Sequence, residues 1–280
     1  MNAARTARLS RRALLWGGAG LGASLIAGCQ REPATPGAGP DLLRSSPPTT
    51  DAAPVVTARN LSTARYREVD FVVIRPGGVP AAPMPVCVAL HADLRGAKSF
   101  VSYGVQRMLT DLVAGGATPF AVAAVDGGNW VGHKDDDPQR MLTEDLPGWL
   151  ERQDLAGTPF AAVGIDEGGA GALHLARTPG LSAVAAISPT LFDTWSDAER
   201  SKIYRQREQW EDVEPLRHAP EYANLPVGVW CGNQDRDYLP TSKAFATAVG
   251  ATATFTGGGH DDAYFTRALP EALKFVAGYL

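Results

Sequence analysis

The stretch "AAVGIDEGGAGAL", residues 161–173, constrains the fold more than any other part of this 280-residue chain. A short apolar run leads through Gly164 to Asp166 and Glu167, and Gly168, Gly169 and Gly171 then open a segment of small and apolar residues. That is the glycine spacing of a sharp strand-to-helix turn, the elbow on which a G-x-S-x-G motif exposes an attacking serine. Asp166 stands at the serine position. The spacing predicts the backbone of a nucleophile site with a carboxylate in place of the hydroxyl.

Around this turn, short apolar runs alternate with segments of helical periodicity, the pattern of a mostly parallel sheet covered by helices on both faces. Strands are expected at 66–74, 86–91, 120–125, 160–165, 182–188, 227–232 and 251–255. Between them, Val101, Val105, Met108, Leu109 and Leu112 share one helical face, as do Met141, Leu142, Leu146, Trp149 and Leu150. The fold class is α/β. Cys87 and Cys231 fall in strands that are not neighbours in such a sheet, so they are expected as free buried thiols.

The N-terminus reads differently. Arg5, Arg8, Arg11 and Arg12 precede an apolar run, 13–27, that is broken by glycines and shorter than the roughly 20 residues of a membrane span. "SRRALL" fits a twin-arginine export signal and "LIAGC" a lipobox, so residues 1–28 are expected to be a lipoprotein signal peptide and Cys29 the lipidated residue. Residues 29–61, rich in Pro, Ser, Thr and Ala, are expected to be a disordered tether, and 62–280 the folded domain. Loss of the four arginines takes the formal net charge from −4 to −8. Such an acidic product argues against a nucleic-acid partner. The expected location is the outer face of the cell membrane, held there by the lipid on Cys29.

In open α/β sheets ligands bind beyond the carboxyl ends of the strands. The segments placed there are "HADLRGAKS", "DGGNWVGHKDDD", Asp166, "GNQDRD" and "GGGHDD". Elbow, acid and histidine follow in the order Asp166, Asp235 or Asp237, and His260; Asp235 is preferred for its distance from its strand. A carboxylate attacking an ester carbonyl gives an adduct that expels the carboxylate again, because an alkoxide leaves less readily. Carboxylate nucleophiles instead displace halide or open epoxides, with Tyr204 or Tyr222 as acids for the latter; Glu167 stands where a halide-binding tryptophan would be needed. Alternatively Asp166 only ion-pairs with His260. Asp166, Glu167, Asp235, Asp237, Asp261 and Asp262 crowd one rim without a recognised metal-ligand spacing, and neither a metal nor a cofactor is expected.

The segments "MLTEDLPGWLERQ", "AAVGIDEGGAGAL", "SAVAAISPTLFD" and "GGGHDDAYF" resemble the esterase family of α/β-hydrolases that includes the secreted mycobacterial mycolyltransferases and related actinobacterial exported esterases. The resemblance spans residues 66–280 and implies an α/β-hydrolase fold and an acyl-ester or glycolipid ligand. It also implies Asp235 and His260 as triad members, backbone N–H groups of Leu94 and Glu167 as an oxyanion hole, and Arg95 as a substrate contact. The chain departs from the family at His91-Ala92, where His-Gly is usual, and at Asp166. An insert at about 190–225 reads as a lid whose Trp195, Tyr204 and Trp210 line a groove, while Asn129, Trp130 and His133 reach the pocket or brace it. The leading expectation is a divergent protein without serine chemistry that binds an envelope lipid, an acyl sugar or a protein partner. The alternatives are a hydrolase that uses Asp166 on an alkyl carbon or to activate water, and a weak carboxylesterase or acyltransferase.

Overall fold

The computed structural model describes residues 53–80 and 82–280. The expected signal peptide, Cys29 and the expected tether up to residue 52 lie outside the described residues. Those described form one eight-stranded sheet, β1 (Val55–Ser62), β2 (Arg67–Ile74), β3 (Val86–Leu90), β4 (Ala121–Val125), β5 (Ala161–Ile165), β6 (Ala183–Ile187), β7 (Val227–Gly232) and β8 (Thr252–Thr256). The strands lie in the order β1-β2-β4-β3-β5-β6-β7-β8. β2 runs antiparallel to β1 and β4, and every pairing from β4 through β8 is parallel.

Central strands buried on both sides read as continuous apolar runs, because alternate residues serve two cores. Val86, Val88 and Leu90 face a layer that includes Leu146, Trp149, Leu173 and Phe245, whereas Cys87 and Ala89 face one that includes Leu109, Phe265, Leu269 and Leu273. Cys87 and Cys231 are free and buried, as expected from their separated strands.

Two expectations need correction. Residues 55–61, placed in the tether by composition, belong to β1, which pairs with β2 along its whole length. As an edge strand it leaves every side chain from Val55 to Leu61 exposed or only partly buried, so its apolar content is low. The helix expected to carry Val101 through Leu112 is split, because Gly104 adopts φ +80° and starts a new helix, Val105–Ala114. Val101 is left exposed on the preceding turn. The face holding Met141, Leu142, Leu146, Trp149 and Leu150 is buried as expected, along a helical segment that runs through one π-type stretch, Met141–Asp145.

The elbow is built by close backbone approach. A Cβ on Gly164 would lie 1.9 Å from the Gly168 carbonyl oxygen, and one on Gly168 would lie 2.1 Å from that of Leu90 at the end of β3. Neither neighbour is a side chain that can swing away. Gly168→Ala is therefore expected to cost about 2–3 kcal/mol, read as a lower urea midpoint, whereas Gly257→Ala, with nothing within 4 Å of the added carbon, should change stability by less than about 0.5 kcal/mol.

Candidate functional site

Three strand ends deliver the site. The chain leaves β5 into helix Glu167–Leu175 through Asp166, whose φ of 59° and ψ of −121° lie where a residue with a Cβ is strained. The turn after β7 carries Asp235, and the glycines after β8 lead to His260, just before helix Asp262–Ala277. The His260 ring bridges the two acids, with Nδ1 2.8 Å from Asp235 Oδ2 and Nε2 3.0 Å from Asp166 Oδ1. Asp235, not the exposed Asp237, holds the imidazole; its side chain is fully buried and also accepts from the Tyr238 N–H at 3.0 Å.

This arrangement reverses the polarity of a serine site. A serine hydroxyl donates to a neutral histidine, which then has a lone pair with which to act as base. An ionised Asp166 only accepts, so Nε2 must carry a proton, while Nδ1 donates its own to Asp235. Burial alone would lower the His260 pKa, but hydrogen bonds to Asp166 and Asp235, together with their charges, raise it to about 9. The same contacts hold Asp235 below the ordinary carboxylate range against the opposing effect of its burial. Tyr238 and Phe265 enclose the imidazole, their ring centres 5.0 and 5.1 Å away. The outcome is a carboxylate–imidazolium–carboxylate chain.

Thr190 belongs to the same cluster. Its hydroxyl donates to Asp166 Oδ1 and its N–H to the Asp166 carbonyl at 3.1 Å. It follows β6 in "SPT", at the carboxyl end of a strand and at the first residue of the expected lid.

The remaining candidates divide. Glu167 opens the elbow helix; burial and the nearby charges of Asp166 and Asp93 push its carboxyl up to about 8, and Oε2 is buried without a hydrogen-bond partner. Leu94 sits at φ 56° with a side chain 94% exposed, on a loop held by the Ala97 N–H to Asp126. Arg95 pairs with Asp262 at 3.0 Å, which ties that loop to the helix after His260. Asn129 spends its side chain on the Val131 N–H and the Ile203 carbonyl, and Trp130 is buried, its indole N–H donating to the His91 carbonyl at 2.9 Å. Both therefore brace the structure, and both also line the small cavity that Glu167 and Thr190 border. The His91 ring is committed too, donating from Nδ1 to Ala92 and accepting at Nε2 from the Gly127 N–H.

The insert carries helices Trp195–Ser201 and Arg207–Val213 and has its own apolar cluster of Phe192, Ala198, Tyr204 and Trp210, with Trp195 packed on Trp210. Trp195 and Trp210 thus serve packing rather than a groove, because apolar rings in a short insert have few other partners. Buried Glu214 pins the cluster, accepting from the Phe192 N–H, the Leu216 N–H and the Trp210 indole. Tyr222 is also structural, donating to the Leu173 carbonyl. Tyr204, in contrast, reaches the elbow. It borders, with Glu167 and Thr190, a cavity of only about 20 Å³, room for a single water. Among the described residues, no three His, Cys, Asp or Glu side chains are grouped as metal ligands.

Solved structures with this fold include a ferulic acid esterase (21% identity, covering 81% of this chain and 98% of that one, TM-score 0.69). Others are an S-formylglutathione hydrolase from Agrobacterium tumefaciens (16%, 81% and 95%, TM-score 0.66) and MPT51 (FbpC1) of Mycobacterium tuberculosis (20%, 81% and 99%, TM-score 0.66). No family model and no curated protein matches the sequence. At such identities the likeness is one of fold: the described domain has the α/β-hydrolase fold of these esterases.

The clamp makes stability depend on pH with a definite sign. His260 binds its proton more tightly in the folded protein, so its contribution is complete below its ordinary value of 6.5 and lost as pH rises through about 9. The raised carboxyl of Glu167 acts in the same direction. An imidazole ¹⁵N titration should place His260 near pH 9, and Asp166→Asn should move it down towards 6.5; a His260 midpoint near 6.5 with Asp166 intact would contradict the clamp.

Proposed function

We propose that the protein is an exported, lipid-anchored binding protein on an esterase scaffold, in which Asp166 has ended acyl transfer. The observation that carries this reading is the imidazolium clamp. With both ring nitrogens donating, His260 has no lone pair to deprotonate a water or a nucleophile. Asp166 as a nucleophile on an ester carbonyl would be expelled from its own adduct, because a carboxylate leaves more readily than an alkoxide. The ligand class is an envelope lipid or acyl sugar, bound away from the elbow.

Anchoring rests on "SRRALL" and "LIAGC". Cys29→Ala should leave the chain uncleaved at this site and without the lipid mass, moving it from the detergent-soluble membrane fraction to the wash.

The test of the elbow compares wild type with Asp166→Ser and Asp166→Ala on short-chain aryl esters. Wild type and Asp166→Ala should be inactive, whereas Asp166→Ser should gain a burst of acylation, because the scaffold around the elbow is unchanged. One observation favours a second reading: Tyr204 lies beside Glu167, the residue that follows Asp166, and a phenol is the acid that an opening epoxide needs. On that reading wild type, but not Asp166→Ala, acquires an alkyl ester on residue 166 when treated with epoxides. Intact mass detects it, and its appearance would overturn the binding-protein proposal.

A further inference from the structure

A groove of about 660 Å³ opens between the insert and the body of the domain. His133, from the loop after β4, and His174, from the last turn of the elbow helix, both line it. His174 and Val213 of the insert also line the small cavity that Glu167 and Thr190 border. Glu167, Ala170, Gly171 and His174 share one face of the elbow helix, which runs from that cavity to the groove. The place where His174 meets the insert is therefore the partition between the two spaces.

The insert helix Arg207–Val213 is held there by side chains. A helix leaves its last carbonyls without partners of its own. Here His218 donates from Nε2 to the Glu211 carbonyl at 3.0 Å and Arg177 from Nη1 to the Asp212 carbonyl at 2.6 Å, while the Val213 carbonyl lies against the His174 ring. Arg177 also pairs with Glu221, which His218 Nδ1 meets at 2.8 Å. The other hydrogen of Arg177 Nη1 points to His174 Nδ1 at 3.3 Å. An arginine only donates, so this Nδ1 must be the bare nitrogen of a neutral ring. On the groove side of the same helix, Gln209 donates from Nε2 to the Gly132 carbonyl at 2.8 Å and to His133 Nδ1 at 3.2 Å. Its Oε1 accepts from the Arg205 N–H at 2.9 Å, which fixes the orientation of the amide. His133 Nδ1 is thus an acceptor as well.

Both rings are set against protonation. Burial lowers the His174 pKa to about 4, with Arg177 and His218 acting in the same direction and Asp212 and the Val213 carbonyl against it. Burial also lowers His133, with Arg205 assisting and Asp136 and Asp137 opposing. A proton on either Nδ1 would set donor against donor, and at His174 it would add a cation beside Arg177. His218 differs, because both its nitrogens already face acceptors. Buried Glu214 accepts only from Phe192, Trp210 and Leu216, all within the insert, and so travels with it.

We propose that the insert is an acid-released gate: the neutral rings of His133 and His174 hold helix Arg207–Val213 on the partition, and their protonation detaches it and joins the groove to the cavity beside the elbow helix. At neutral pH the partition keeps a ligand in the groove apart from the elbow. The gate goes beyond the function proposed above and is the same whether the elbow binds or reacts. Its sign follows from linkage. His174 holds a proton less tightly in the closed form, so its contribution to closure is complete above 6.5 and lost as pH falls towards about 4. The His260 clamp, which titrates near pH 9, is already fully formed in that range.

Hydrogen exchange read by mass spectrometry tests the gate on the full chain with Cys29→Ser, so that no lipid anchor contributes. After correction for the intrinsic pH dependence of amide exchange, residues 207–213 should open about twentyfold more at pH 5 than at pH 7, the change expected when a ring held near 4 on closure returns to 6.5 on opening. Strands β5 and β6 should keep their rates. His133→Gln with His174→Gln supplies amide oxygens for the same donors but takes up no proton in this range, and should stay closed at both pH values. A ring titration should place His174 near pH 4. Equal corrected exchange at the two pH values, acceleration of β5 and β6 together with the insert, a pH response that survives in the double variant, or a His174 midpoint at 6.5 overturns the gate. If the double variant is open at both pH values, the wild-type exchange and the ring titration still decide. The aryl-ester comparison at residue 166 is read independently, so failure of the gate and failure of the elbow reading are separate results.

Discussion

Everything at the upper edge of the sheet depends on how closely the backbone of the elbow helix approaches β3 and β5. The helix starts almost in contact with the Leu90 carbonyl, which is possible only because Gly164 and Gly168 have no side chains. That approach forces Asp166 into a positive-φ turn above the strand ends. The loops after β7 and β8 then need only short reaches to bring Asp235 and His260 to it. Part of the strain at residue 166 is offset by the hydrogen bonds that Asp166 accepts from His260 and Thr190.

A single substitution in this frame changes the direction of a hydrogen bond, and the chemistry changes with it. A hydroxyl at the elbow gives its proton to histidine, whereas a carboxylate demands one from it. His260 must therefore be doubly protonated, which suits an ion pair between two acids and removes a general base. Burial, and after it the same concentration of negative charge, raises Glu167, so the first residue of the elbow helix tends towards the neutral acid near pH 7 while Asp166 and Asp235 share the imidazolium. The insert then fills the space above, with Tyr204 over the elbow and Glu214 anchoring the apolar cluster around Phe192 and Trp210. The large open volume lies on the other side of the insert, where the side chains are polar.

Much of this was legible in the chain. The strands from β2 to β8 follow apolar runs that local spacing reveals, and the elbow and the order Asp166, Asp235, His260 follow from glycine spacing and strand ends. β1 was not legible because a half-exposed edge strand needs little apolar content. Nor was the break at Gly104, since a helical face drawn through Val101 and Val105 looks the same whether or not the backbone turns between them. Aromatic residues gave the least: Trp130 and Trp195 both sit in loops or inserts near the site, yet one is locked under His91 and the other against Trp210.

By itself, then, the sequence determined the α/β layering, the two free thiols and the presence of a carboxylate at a nucleophile position, because each depends on spacing along the chain. Only the tertiary structure decided that Asp235 rather than Asp237 holds His260, that Thr190 joins them and that a polar groove opens beside the insert. Those outcomes depend on which side chains meet after distant loops have packed. Hydrogen-bond direction and cavity volume are properties of that packing, and no local pattern encodes them.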